Sequence, residues 1–180
     1  MRIEHVARRA GCNKALVYRY FGDRETLVRE ALRAQFAARS AVLDALPETV
    51  GAALGHWTRR TLDDPVFVRL ILREALADTG EEPVDAEYRA EYYARQISML
   101  RDWQADGVIS PALDVEMLFL ALLAVITLPA MLPQVVRLAT GLAPGSEAFD
   151  ARWDAFLDGL AASIAGSKAP GVQASASRSH

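Results

Sequence analysis

The chain has one cysteine, Cys12, and three histidines, His5, His56 and His180, among its 180 residues. One thiol excludes an internal disulfide and a four-cysteine metal site, and it fits a reducing, cytoplasmic compartment. The histidines share no spacing that makes a metal site or a catalytic pair with Cys12. No Gly-rich phosphate loop occurs, and no Ser/His/Asp arrangement stands out. With no catalytic constellation to find, neither an enzyme nor a bound cofactor is expected. Strand-type alternation of useful length, internal repeats and a secretory signal are missing as well. What remains is helical periodicity in a chain that is 52% hydrophobic, ample for a core, so the expected fold class is all-α.

A net charge of −3 argues against a uniformly basic coat, but the charge is unevenly spread. Between residues 1 and 45 nine Lys/Arg face five Asp/Glu, a surplus of +4, which leaves −7 for the remainder. A basic N-terminal unit on an acidic body is what a DNA reader joined to a separate sensing or pairing domain shows.

Residues 3–21 read as two short helices joined by a glycine turn. Val6, Ala7 and Ala10 make one apolar stripe, and Gly11 follows where a helix ends in the left-handed conformation. Cys12 suits the gap between the helices, and Asn13 is a good N-cap for a second helix from Lys14. On that helix Val17, Tyr18 and Phe21 are expected inward, leaving Lys14, Ala15 and Arg19 outward. A short-chained basic face of this kind fits a major groove, which admits one helix.

Past this motif the pattern stays helical. Gly22-Asp23 caps a long helix from about Arg24 to Ala45, with Leu27, Ala31, Ala34 and Ala38 on one side, and Leu46-Pro47 breaks it. A second runs to about Leu62 with Leu54 and Trp57 inward. Asp64-Pro65 starts a third. Gly80-Glu81-Glu82-Pro83 reads as a loop, and Asp85 to Ala105 as an amphipathic helix carrying Tyr93, Ile97, Leu100 and Gln104. Ser146 caps a last helix with Phe149, Trp153, Phe156 and Leu160. Three parts are expected: 1–45, a helix-turn-helix unit with its connecting helix; 46–165, a helical ligand-binding and dimerisation domain; and 166–180, a disordered Ser/Ala/Gly-rich tail.

Met117 to Val136 carries no charge and has the length of a minimal membrane span. Pro129 and Pro133, which break a helix, together with Gln134 and the lack of a basic flank, argue against insertion, so no membrane partner is expected. A helix apolar all round is one packed on both sides, in a core or against a partner subunit, and two-fold pairing is the commonest association.

The run Ala10-Gly11-Cys12-Asn13-Lys14-Ala15-Leu16-Val17-Tyr18-Arg19-Tyr20-Phe21-Gly22-Asp23-Arg24-Glu25-Thr26-Leu27 resembles the DNA-binding signature of the tetracycline-repressor (TetR) family of bacterial regulators. The resemblance covers about the first 30 residues. It implies a three-helix reader, a connecting helix, an all-helical ligand-binding body, and a four-helix dimer interface from the last two helices and their mates. Asn13, Lys14, Ala15 and Leu16 match the opening of the recognition helix, with Lys14 the best candidate for a base or phosphate contact and Leu16 for a thymine methyl. Tyr18, Tyr20 and Arg24 match positions that hold phosphate oxygens. Cys12, Asn13, Ala15 and Tyr20 stand where the family more often has Val, Ser or Thr, Gly, and His, swaps that keep size or capping. The family's reader begins with a further helix, while Met1 lies two residues ahead of Ile3; the expectation is a start upstream of Met1, or weak DNA binding by this form.

Trp57, Phe67, Tyr92, Tyr93, Trp103 and Phe119 are candidates to line an apolar ligand pocket or to be ordinary core. Arg8 and Arg9 read as solvated charges. The reading is a dimeric regulator, a repressor by resemblance, that binds palindromic double-stranded DNA and is released by a small apolar effector. The alternative is a helical dimeric interaction protein with a degenerate reader. A lac-repressor-type regulator shares Val6 to Gly11 but not Tyr18-Arg19-Tyr20-Phe21.

Overall fold

The computed structural model describes residues 3–40, 49–76, 80, 82, 83 and 85–166. Nine helices occur among them: α1 (Ile3–Arg9), α2 (Lys14–Phe21), α3 (Arg24–Ser40), α4 (Val50–Asp63), α5 (Val66–Leu76), α6 (Ala86–Ala105), α7 (Val115–Met131), α8 (Pro133–Thr140) and α9 (Glu147–Ile164). The all-α expectation is met; the one β-type pairing among the described residues is an isolated bridge, Ile109 with Ala165. The Leu46-Pro47 break and the end of the predicted connecting helix lie outside the described residues, as does the tail from 167.

Each well-formed helix start is a side-chain cap. Asn13, Thr49, Asp114 and Ser146 accept from the backbone N–H three residues on, satisfying donors that have no partner inside the helix. Asp64 Oδ1 accepts from the Val66 N–H at 3.2 Å, and α5 begins one residue after Pro65.

Two apolar clusters make the body. In one, Val50, Leu54, Leu100, Ile109, Leu118, Phe119, Leu122 and Leu157 bring α4, α6, α7 and α9 together. Gly51 and Gly55, one turn apart on α4, face the backbone turns that carry Asp158 and Asp154 on α9, so these helices pack closely. The Thr58 hydroxyl donates to the Leu54 carbonyl and accepts from Trp153 Nε1 at 3.4 Å, satisfying a buried hydroxyl across the same crossing. In the other cluster Leu32 and Phe36 of α3 meet Phe67, Val68 and Leu70 of α5 and Tyr92 of α6.

Several expectations are corrected. Ala34 and Ala38 are exposed; the buried side of α3 is Leu27, Leu32, Phe36 and Arg39, because the larger side chains take the body-facing positions. Ala10 is exposed as well. Pro129 does not break α7, which runs two residues past it. The chain turns by 88° between α7 and α8, at Leu132-Pro133. No single helix among the described residues is long and apolar enough to cross a membrane. Gly166, assigned to the tail, donates its N–H to the Val108 carbonyl at 3.2 Å.

Phe36 is 1% exposed, so Phe36→Ala leaves a cavity among aromatic rings and is expected to lower the unfolding free energy by about 3–5 kcal/mol in urea titration. Burial pushes the Tyr92 hydroxyl up from its ordinary 10.0 to about 12, which favours the neutral form in the fold. The stability this group contributes is intact below pH 10 and is lost as pH rises from about 10 to about 12. Tyr92→Phe is expected to remove that part of the pH dependence of unfolding.

Candidate functional site

α1 and α2 form the pair read from the sequence. Gly11 takes φ +66°, the left-handed value that lets the chain leave α1 and re-enter at α2. Ile3 and Ala7 of α1, Val17 of α2 and Leu27 of α3 bury one another, with Val6, Cys12 and Phe21 packed around them. Asn13 Oδ1 accepts from the Leu16 N–H at 2.8 Å, and Asp23 Oδ1 accepts from the Thr26 N–H at 2.7 Å. The second bond holds the Asp23 carboxyl below its ordinary value. Both caps are local, so the angle between α2 and α3 is set within a few residues of the motif.

With the inward face occupied, the outward face of α2 follows. Asn13, Lys14, Ala15, Leu16, Tyr18, Arg19, Tyr20 and Arg24 are all exposed. Tyr20 stands 77% exposed, Tyr18 40% and Leu16 37%. Tyr18 was expected inward. It lies instead at the edge of α2, because Val17 and Phe21 already fill the cover over α1. Lys14 Nζ lies 2.5 Å from Glu4 Oε1 of α1, a pair that raises the ammonium's pKa, and 5.8 Å from the Tyr18 ring centre. The result is a rigid, mostly uncharged helix face with Lys14, Arg19 and Arg24 around it.

The five candidate ligand residues divide. Trp57, Trp103 and Phe119 line one apolar slot with Val50, Ala53, Leu54, Met99, Leu100, Leu122, Leu123 and Ile126, and Gln96 supplies an amide. Phe67 lies outside it, buried 4.9 Å from the Phe36 ring. Tyr93 packs behind it, 5.8 Å from Phe119. The slot measures only about 50 Å³. Gln96, Met99 and Trp103 share one face of α6, a spacing present in the sequence that the reading by aromatic type passed over. Among the described residues no group of three or more His, Cys, Asp or Glu is placed to hold a metal ion.

Residues 1–31 match the bacterial regulatory proteins of the tetR family, and residues 53–155 match the tetracyclin repressor-like C-terminal domain. The HTH-type transcriptional repressor SCO4008 of Streptomyces coelicolor is 31% identical over 145 residues, covering 78% of this chain and 73% of that protein. The crystal structure of SCO4942 from the same organism superposes with a TM-score of 0.69 at 22% identity, over 88% of this chain and 86% of that one. A candidate TetR-family transcriptional regulator from Rhodococcus sp. gives 0.61 at 18% identity, over 91% and 87%. The matches cover both the helix-turn-helix and the helical body that carries the slot: the chain belongs to the TetR family of bacterial transcriptional regulators.

Proposed function

We infer that the chain is a dimeric repressor that inserts α2 into the major groove of palindromic DNA and is released by a small apolar ligand. The observation that carries this is the surface around α2: Lys14, Ala15, Leu16, Tyr18, Arg19 and Tyr20 on it, Asn13 at its N-cap and Arg24 at the start of α3 are all exposed, on helices held by Gly11, the Asn13 cap and a small core. Lys14, Arg19, Tyr18, Tyr20 and Arg24 supply phosphate-type contacts, and Ala15 and Leu16 keep the backbone close to base edges. Repression comes from the relative, which is named a repressor.

Pairing is supported by apolar surface on the body. Met117, Leu120 and Leu128 share one exposed face of α7, and Phe156 of α9 is 49% exposed. Such a face is covered more cheaply by a second copy than by water. The slot supplies the release. At about 50 Å³ it is far below the roughly 300–1,000 Å³ of drug-sized sites, so a ligand enters only by parting α4, α6 and α7. Parting these helices shifts what α3 rests on, and with it the separation of two recognition helices that must sit about 34–36 Å apart.

Gel-shift with DNA flanking the gene is expected to show retardation of a short palindrome at low salt; no retardation by a chain extended upstream of Met1 overturns the reading in favour of a helical interaction protein. Lys14→Gln is expected to weaken binding and, for a phosphate contact, to lower the slope of log K against log salt by about 0.9. Light scattering is expected to give twice the 19.7 kDa chain mass, reduced to one chain mass by Met117→Glu with Phe156→Glu. A monomeric wild type removes the dimer from the proposal.

A further inference from the structure

A second pocket, unlike the slot, opens between the C-terminal half of α3 and the body. It measures about 500 Å³, within the range of small-molecule sites, and its lining is dominated by charge. Arg39 enters it from α3, and His56, Arg59 and Arg60 from α4, with Asp63 and Asp64 at the end of α4.

The arginines differ in how they are satisfied. Arg59 donates to both carboxylate oxygens of Asp154 at 2.8 Å, and the buried Arg89 holds Glu74 through two bonds, at 2.5 and 3.0 Å. Arg39 is 4% exposed, yet no carboxylate among the described residues lies within ion-pair distance of it. Its guanidinium rests on the Phe67 ring at 4.2 Å, and its Nε has no hydrogen-bond partner. His56 Nε2, on the opposite wall, is buried without a partner too. A buried cation without a carboxylate beside it carries a desolvation cost that an anion within reach of its guanidinium offsets. Asp63 and Asp64 are exposed at the end of α4, and neither lies within ion-pair distance of Arg39.

We propose that this pocket binds a small organic anion, its carboxylate or phosphate held by Arg39 and Arg60. A planar guanidinium fork matches either group, and Arg39, a buried lining arginine with no carboxylate within ion-pair distance among the described residues, supplies the donors for a negative end. The two carboxylates at the end of α4 suit hydroxyls on the occupant's other end. The site is separate from the slot: His56 and Trp57 are neighbours on α4, and one lines the charged pocket while the other lines the apolar slot. An anion here bridges α3 to α4. Its consequence for DNA binding rests on the repressor reading; its binding does not.

The test is titration calorimetry and thermal unfolding of the full chain at constant ionic strength, with inorganic phosphate, acetate and benzoate as probes and chloride as the control. Saturable binding below about 10 mM by phosphate or by a carboxylate is expected, and the probe that saturates identifies the anionic group. Arg39→Met and Arg60→Gln are each expected to weaken it by about tenfold. Because Arg60 is only half-buried, its variant keeps the test decisive even if Arg39→Met fails to fold. Responses that never saturate, that match chloride, or that persist unchanged in Arg60→Gln overturn the proposal. No DNA is present in these titrations, so their failure bears on the pocket alone, and failure of DNA retardation bears on the repressor reading alone.

Discussion

Most of this architecture turns on one ring. Phe36 sits where the connecting helix meets the body, edge-on to Phe67 at 4.9 Å and to Tyr92 at 5.1 Å, with Tyr93 and Tyr88 at 6.0 and 6.4 Å. The Arg89 guanidinium lies 5.2 Å from its ring centre while paired with Glu74, so α3, α5 and α6 converge on a single side chain. Edge-to-face geometry is directional, unlike simple burial, and it fixes the rotation of α3 as well as its position. Arg33 with Asp85, and Ser40 with Arg95, tie the same helix to α6 on either side of that ring.

The orientation of α2 is inherited from this arrangement. The cluster that holds the first three helices together contains four buried side chains, Ile3, Ala7, Val17 and Leu27, too few to order a domain by themselves. Leu27 belongs to α3, the helix that carries Phe36 two and a half turns further on. The body therefore supports the first two helices through one continuous helix, and a change of packing around Phe36 is passed along α3 to Leu27, which packs on α1 and α2.

Much of this was legible in the sequence where a residue type has one physical use. Gly11 before Cys12-Asn13 had to end one helix and start another, and Asn13, Asp114 and Ser146 could serve as caps from sequence alone. What misled was any inference from apolar character without knowledge of the neighbour. Alanine looks like a core residue at Ala34 and Ala38, yet Leu32, Phe36 and Arg39 occupy the buried side. Phe67 looks like a pocket residue, yet it is the floor under Arg39. Arg39 itself was one charge in a basic N-terminal count. Nothing in its sequence context separates a buried arginine from a solvated one, because its burial is made by α4 and α5.

The two pockets then differ in what they ask of the fold. The slot is small and apolar, so filling it separates helices that the first cluster holds together, and the stabilisation lost by α4, α6 and α7 must be recovered from any ligand that enters. The charged pocket already has about 500 Å³ of room, so filling it moves little. An occupant of the first loosens the support under α3, whereas an occupant of the second adds a bond between α3 and α4. Ligands that act on one helix with opposite sense are coupled through it, each reducing the affinity of the other by the same factor. In that proposal α4 carries the coupling, since His56 and Trp57 are neighbours on it, with ring centres 5.7 Å apart, one lining the charged pocket and the other the apolar slot.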